Sequence, residues 1–306
     1  MVTSNPVTTS NRASNTAETC GNCGAPLTGR YCAACGQSRE DICRPIWSLL
    51  TDTLDGLLSW DGRILTTFRH LYTRPGRVAR DYVGGKRASF TPPVRLYIIA
   101  SVIFFAAISL SGVRIVAVET TASAGGPSSI FLTIFQRPRS EAARALSPED
   151  QAAVLERARE QGVADVWQNA IVDAMTHPEL LEDRASAASG QALILMVFVF
   201  ALMSLILHPR RRVIEHIVHA LYFHAAVLLP IAVLVLAGVY IPLPLPVSIA
   251  VLALTTLAAV SGVALYDYGF YGSSRLGAVL RAVLICLAYA ISAVFVAIGL
   301  IIISTL

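Results

Sequence analysis

Residues 74–105 read RPGRVARDYVGGKRASFTPPVRLYIIASVIFF, and the change of character along them decides the fold. Arg74, Arg77, Arg80, Lys86, Arg87 and Arg95 crowd the first part, and residues 96–113 then run without a charge. As a helix that run is roughly 27 Å long, enough to cross the hydrocarbon core of a bilayer. Basic residues just ahead of a first span are retained on the cytoplasmic side. The stretch therefore predicts both where the membrane lies and which way the chain enters it.

The rest of the chain supports a polytopic membrane protein. Of its 306 residues 55% are hydrophobic and only 14% charged, with a mean hydropathy of +0.61. A soluble domain carries about 25% charged residues. The expected fold class is all-α, with about five transmembrane helices, a small N-terminal ribbon and amphipathic cytosolic helices. The spans are expected at 94–118, 191–207, 217–241 (kinked at Pro230), 247–266 and 282–304. His208-Pro209-Arg210-Arg211-Arg212 makes one basic inner loop. Asp267 to Gly272 is expected to be an aromatic interfacial belt, with Arg275 and Arg281 on the inner side. Five spans put the N terminus inside and the C terminus outside. The basic N-terminal part reads as a lipid-facing cytosolic surface, and no arginine-rich helix with interleaved aromatics argues for nucleic acid.

Residues 1–19 are polar, lack an apolar core and are expected to be a disordered leader without a signal peptide. Five of the six cysteines then fall between Cys20 and Cys43, a metal-site pattern and not a disulfide framework. In residues 20–43, Cys20 and Cys23 form one CxxC and Cys32 and Cys35 a second. Gly21 or Gly24, and Gly36, supply the positive φ of a knuckle. Four thiolates fill the tetrahedral shell of one structural zinc and leave no open position for a catalytic water; a redox dithiol is the competing reading. So small a segment has no core of its own, so the metal supplies its folding energy. Cys43 reads as a plain thiol.

Residues 44–93 are expected to form cytosolic, amphipathic or interfacial helices. Ile46, Trp47, Leu50, Leu54, Leu57 and Leu58 share one helical face, and Ile64, Leu65, Phe68, Leu71 and Tyr72 another. A third, short helix runs from Pro75 to the Gly84-Gly85 break. Whether the first two lie in the membrane interface or pack on the ribbon or bundle stays open.

Several of these residues together resemble a bacterial membrane-protein family, the domain of unknown function 3667. They are the ribbon, Trp60-Asp61-Gly62-Arg63, Arg74-Pro75-Gly76, Asp81-Tyr82, Gly84, Lys86-Arg87 and Pro92-Pro93-x-Arg95-Leu96-Tyr97. Glu215-His216, His219, Ala220-Leu221 and His224 resemble its later EHxxxALxFH stretch. The resemblance implies the architecture and a bacterial cytoplasmic (inner) membrane, and it implies no substrate.

Residues 119–190 are expected to form an extracytoplasmic helical loop, with a helix starting at Ser147-Pro148. Residues 191–306 hold the other four spans. Glu215, His216 and His219 share about a 100° arc of the third span, with His224 deeper. Such groups are functional suspects, and metal binding, proton transfer and plain hydrogen bonding are the readings they allow. Arg74, Arg77, Asp81, Lys86, Arg87 and Arg95 are candidate headgroup or interface contacts.

No nucleophile elbow, phosphate loop or HExxH appears, so no catalytic residue is assigned and a non-enzyme is favoured. The leading expectation is a zinc-ribbon scaffold that docks a cytosolic partner or braces the bundle. A transporter or channel component using His224 and His219 is the alternative, and an enzyme acting at the lipid interface is the third. A homo-oligomer is compatible with all three.

Overall fold

A computed structural model describes residues 19–39, 62–121, 129–136, 148–160, 162–163, 168 and 178–305. The leader at 1–18, the amphipathic helix at 46–58, Cys43 and Trp60-Asp61 lie outside the described residues, as does most of the expected helix beyond Gly162.

The described elements run α1 (Arg63–Thr73), α2 (Arg77–Val83), α3 (Pro93–Leu110), β1 (Arg114–Thr121), β2 (Ser129–Gln136), α4 (Pro148–Glu160), α5 (Pro178–Leu207), α6 (Val213–Tyr240), α7 (Leu245–Tyr271) and α8 (Arg275–Thr305). Five helices are long and apolar enough to cross a membrane: Pro93–Leu110, Ser189–Leu207, Val213–Tyr240, Leu245–Tyr271 and Arg275–Phe295. Leu252, Leu254 and Leu257 of α7 and Phe295 of α8 are exposed, a surface that suits lipid and not water.

Two hydrogen bonds set α3 and α6 side by side and parallel. The Tyr222 hydroxyl donates to the Thr91 carbonyl (2.7 Å) at the start of α3, and the Tyr240 hydroxyl donates to the Ser111 carbonyl at its end. The segment of α6 between the two tyrosines is about 27 Å long, close to the roughly 30 Å of a hydrocarbon core. The first turns of α6, from Val213 to Tyr222, therefore project beyond that slab on the side of the ribbon. Helices α1, α2 and α5 pack on α6, and Tyr271 and Phe270 at the end of α7 meet His216 and His219 in the first turns of α6.

Here α1 reaches deeper than a surface helix would. Pro230 has no N–H, so the helical partner of the Ala226 carbonyl is missing. The Tyr72 hydroxyl of α1 donates to that carbonyl at 2.8 Å. The Tyr266 hydroxyl of α7 donates in turn to the Leu71 carbonyl at the end of α1 (3.0 Å). The Pro75-Gly76 link between α1 and α2 lies directly on α7. Gly76 has φ +73°, and a Cβ there would meet the Phe270 nitrogen at 2.7 Å. A Cβ on Gly269 would overlap the Pro75 carbonyl. Both positions need glycine because two backbones touch.

Three regions depart most from the sequence expectation. The first span ends at Leu110 and not at residue 118, because Gly112 turns the chain at φ +71°. The segment after it, RIVAVETT, is rich in β-branched residues and pairs antiparallel with SIFLTIFQ, Val118 opposite Leu132. The 119–190 region thus opens with a hairpin and is not helical throughout, although α4 does begin at Pro148. The third difference is at residues 267–271, expected as an interfacial belt. They continue α7, which stops only at Gly272 (φ +68°), and Asp267 and Phe270 are buried.

Candidate metal centre and buried polar cluster

The ribbon closes through two matching knuckles. In the first, the Cys20 N–H donates to Ala25 O and the Gly24 N–H to Cys20 O, each at 2.8 Å; in the second, the Cys32 N–H donates to Gln37 O and the Gly36 N–H to Cys32 O, each at 2.9 Å. Of the glycines the sequence offered, Gly24 (φ +75°) and Gly36 (φ +72°) take the left-handed positions. Short bridges, Thr19 to Pro26 and Tyr31 to Ser38, tie the knuckles into hairpins. The four sulfurs lie within 4.8 Å of one another, with Cys20–Cys35 and Cys23–Cys32 both at 3.6 Å. A tetrahedral shell with metal–sulfur bonds of about 2.3 Å has sulfur–sulfur edges of about 3.75 Å, so the cluster fits one metal ion. The backbone N–H groups of Cys23 and Asn22 hold the Cys20 thiol down at about 6, whereas, against the pull of the Ala25 N–H, the neighbouring sulfurs, Cys32 first, push the Cys23 thiol up.

The ribbon is seated on the α2–α3 loop. Gln37, buried, donates from Nε2 to the Gly85 carbonyl (2.7 Å), and its Oε1 accepts from the Arg87 and Ala88 N–H groups (3.0 Å each). A Cβ on Gly21 would sit 3.3 Å from the Gly85 oxygen, and the Ser89 hydroxyl donates to Asn22 Oδ1 at 2.8 Å. From the other side, Arg63 of α1 donates to the Ala88 carbonyl (3.0 Å), and Thr67 Oγ1 accepts from the Thr91 N–H (3.0 Å). Gln37 was not singled out from the sequence; its only signal there is its place directly after the second knuckle.

The basic candidates separate. Asp81 pairs with Lys86 (3.3 Å), Arg95 is buried, and Arg87 is half-buried beside the ribbon. Arg74 and Arg77 are exposed. Among the described residues, no hydrogen bond or ion pair joins Arg74, Asp81, Arg87 and His219, the convergence an interfacial enzyme would need.

The α6 candidates also separate. Glu215 pairs with Arg211 (3.3 Å). His216 Nδ1 meets the Tyr271 hydroxyl at 2.6 Å. His219 is stacked on Phe270 with ring centres 4.6 Å apart and flanked by Phe200 and Tyr271. His224 bonds the Ala220 carbonyl through Nδ1 (2.7 Å) and the Tyr289 hydroxyl through Nε2 (3.1 Å). Nδ1 therefore carries the proton, and Nε2 accepts from the phenol.

The cluster has a part the sequence reading assigned to an interface. Asp267 Oδ2 accepts from Arg281 (Nε 3.2 Å, Nη2 3.0 Å) and from Ser273 (3.1 Å), and His208 Nε2 lies 3.6 Å from its Oδ1. The His208 ring stacks on Tyr271 at 3.6 Å. Burial pushes His208 below its ordinary value, against the pull of Asp267. The signal in the sequence was an aspartate in a long apolar run, with an arginine one helix further on. Among the described residues, several buried atoms of this region meet no partner within hydrogen-bond distance: Asp267 Oδ1, His216 Nε2, both His219 nitrogens and Ser204 Oγ. Among the described residues, only the four cysteines bring three or more ligand atoms within metal-binding range.

Fold and site together define a helical protein with five candidate membrane spans and a cluster of four cysteines that could hold one metal ion. Residues 61–105 match the family model described as a protein of unknown function (DUF3667). The match spans the α1–α2 pair, the loop under the ribbon and the entry to the first span. No curated protein and no solved structure matches the chain.

Proposed function

We propose that the chain is a structural, partner-docking protein of the bacterial cytoplasmic membrane, in which a zinc-bound ribbon braces the entry to the bundle. The observation that carries this is the Gln37 amide, whose three hydrogen bonds clamp the backbone of residues 85–88. An ordinary flexible tether would not be held in this way. Zinc is the metal that a closed shell of four thiolates suits, one per chain. The arginines before α3 and at 210–212 support a cytoplasmic ribbon and an extracytoplasmic C terminus. Tyr31 of the ribbon is exposed, and the edge around it is the surface on which a cytosolic protein would dock. The test is metal analysis of the purified full chain, together with limited proteolysis at residues 84–91. Cys32→Ser is expected to lose zinc and open the loop to cleavage. Gln37→Ala is expected to keep zinc and open it all the same. A wild-type protein without zinc, or a Gln37→Ala protein whose loop stays protected, overturns the reading.

A second reading, a transporter or channel component, is supported by the unpartnered buried atoms around His219. Both nitrogens of His224 are already engaged, so His219 is the residue to change. Proteoliposome flux that is the same for wild type and His219→Ala removes this reading.

A further inference from the structure

We propose that Arg74, Arg77, Arg80 and Arg275 form a binding site for the phosphate group of an anionic phospholipid in the leaflet facing the ribbon. Three observations lead there. The first is depth. Tyr72, two residues before Arg74, bonds the Ala226 carbonyl, which lies one turn past the level where Tyr222 meets the start of α3. The α1–α2 turn therefore sits at the edge of the apolar slab, where lipid phosphates are.

The second is charge. Arg74, Arg77 and Arg80 follow one another at three-residue steps, and Arg77 and Arg80 are neighbours on the same helix face. Arg80 Nη1 lies 3.8 Å from where a Gly272 Cβ would be, against the α7–α8 turn. Arg275, three residues beyond Gly272, opens α8. All four arginines are exposed, and none has an acid partner among the described residues. The nearby acids are committed elsewhere, Asp81 to Lys86 and Asp267 to Arg281.

The third is the apolar setting. Tyr72 is 50% exposed and Leu276 is 72% exposed, so acyl chains have a surface beside the cations. A guanidinium binds a phosphate bidentately, and clustered ones favour an anionic headgroup over a zwitterionic one.

The full-length protein in a non-ionic detergent is titrated with short-chain phosphatidylglycerol and, separately, phosphatidylcholine, and binding is read by native mass spectrometry. The wild type is expected to prefer the anionic lipid. Each of Arg77→Gln and Arg80→Gln is expected to lower that preference about fivefold, and the triple variant with Arg74→Gln to bring it near unity. Arg157→Gln, an exposed arginine of α4, is expected to keep it. Thermal melting of each variant in the same detergent confirms that it is folded. Wild-type binding without a headgroup preference overturns the proposal. So does a folded triple variant that retains the preference, or displacement of the lipid by millimolar inorganic phosphate alone, which would make the site one for the free anion.

Discussion

Replacing Gly269 by alanine should separate α1–α2 from the bundle, while the same change at Gly262, two turns earlier in α7, should not. At Gly269 the new methyl overlaps the Pro75 carbonyl and comes within 3.2 Å of Gly76 Cα. Neither neighbour can step aside as a side chain would, since both are backbone. Relief requires a shift of the α1–α2 turn on the order of 1 Å, the scale at which overpacked sites give way. The Tyr72–Ala226 bond at 2.8 Å and the Tyr266–Leu71 bond at 3.0 Å would both stretch beyond hydrogen-bond range. Two lost bonds at about 1 kcal/mol each, and a buried carbonyl left unpaired at about 1–3 kcal/mol, give a destabilisation of about 3–5 kcal/mol. At Gly262 a Cβ meets nothing within 4 Å. Alanine there should be neutral or stabilise by about 0.5–1 kcal/mol through its higher helix propensity. Thermal or denaturant unfolding in detergent, with both variants beside the wild type, reads the difference. If Gly269→Ala and Gly262→Ala unfold alike, the backbone contact between Pro75-Gly76 and α7 is not what holds the pair.

Tyr72→Phe should cost about 1–3 kcal/mol by orphaning the Ala226 carbonyl. Most of that cost should vanish in a Pro230→Ala background, where the helix supplies its own N–H; a double-mutant cycle with no coupling would refute the assignment. Asp267→Asn should cost about 3 kcal/mol, because Arg281 is left without its counter-charge, and Asp267→Asn with Arg281→Met should recover part of it in the same unfolding assay. His208 is held below its ordinary 6.5 in the folded protein, so the unfolded chain binds more protons as pH falls. Stability should therefore drop as pH is lowered through that value, and His208→Gln should flatten the slope of unfolding free energy against pH. Chelation should release the ribbon from the loop at 84–91 while leaving the helical circular dichroism of the spans nearly unchanged.

Much of this architecture is short-range and could be read directly from the chain. The knuckles need two cysteines three apart and a glycine after the second, and Cys20 to Gly24 and Cys32 to Gly36 supply that locally. The spans need only length and apolarity. Where reading failed, a partner far along the chain decided. The β1–β2 hairpin was hidden because RIVAVETT continues the apolar character of the first span, and its strand partner begins only after residue 128. Asp267 looked like an interfacial residue until Arg281 and His208 were brought to it by helices that meet at the same end of the bundle.

By itself, the sequence determined the clustering of four thiols, the number of candidate spans and the basic approach to the first of them. Each depends on residues within one helix or one turn of each other. Only the tertiary structure decided that Gln37 locks the ribbon to the loop, that Tyr72 fills the gap left by Pro230, and that Gly76 and Gly269 let two backbones touch. Those contacts join residues separated by roughly 50 to 190 positions, and no local periodicity encodes which distant donor will meet an unpaired carbonyl.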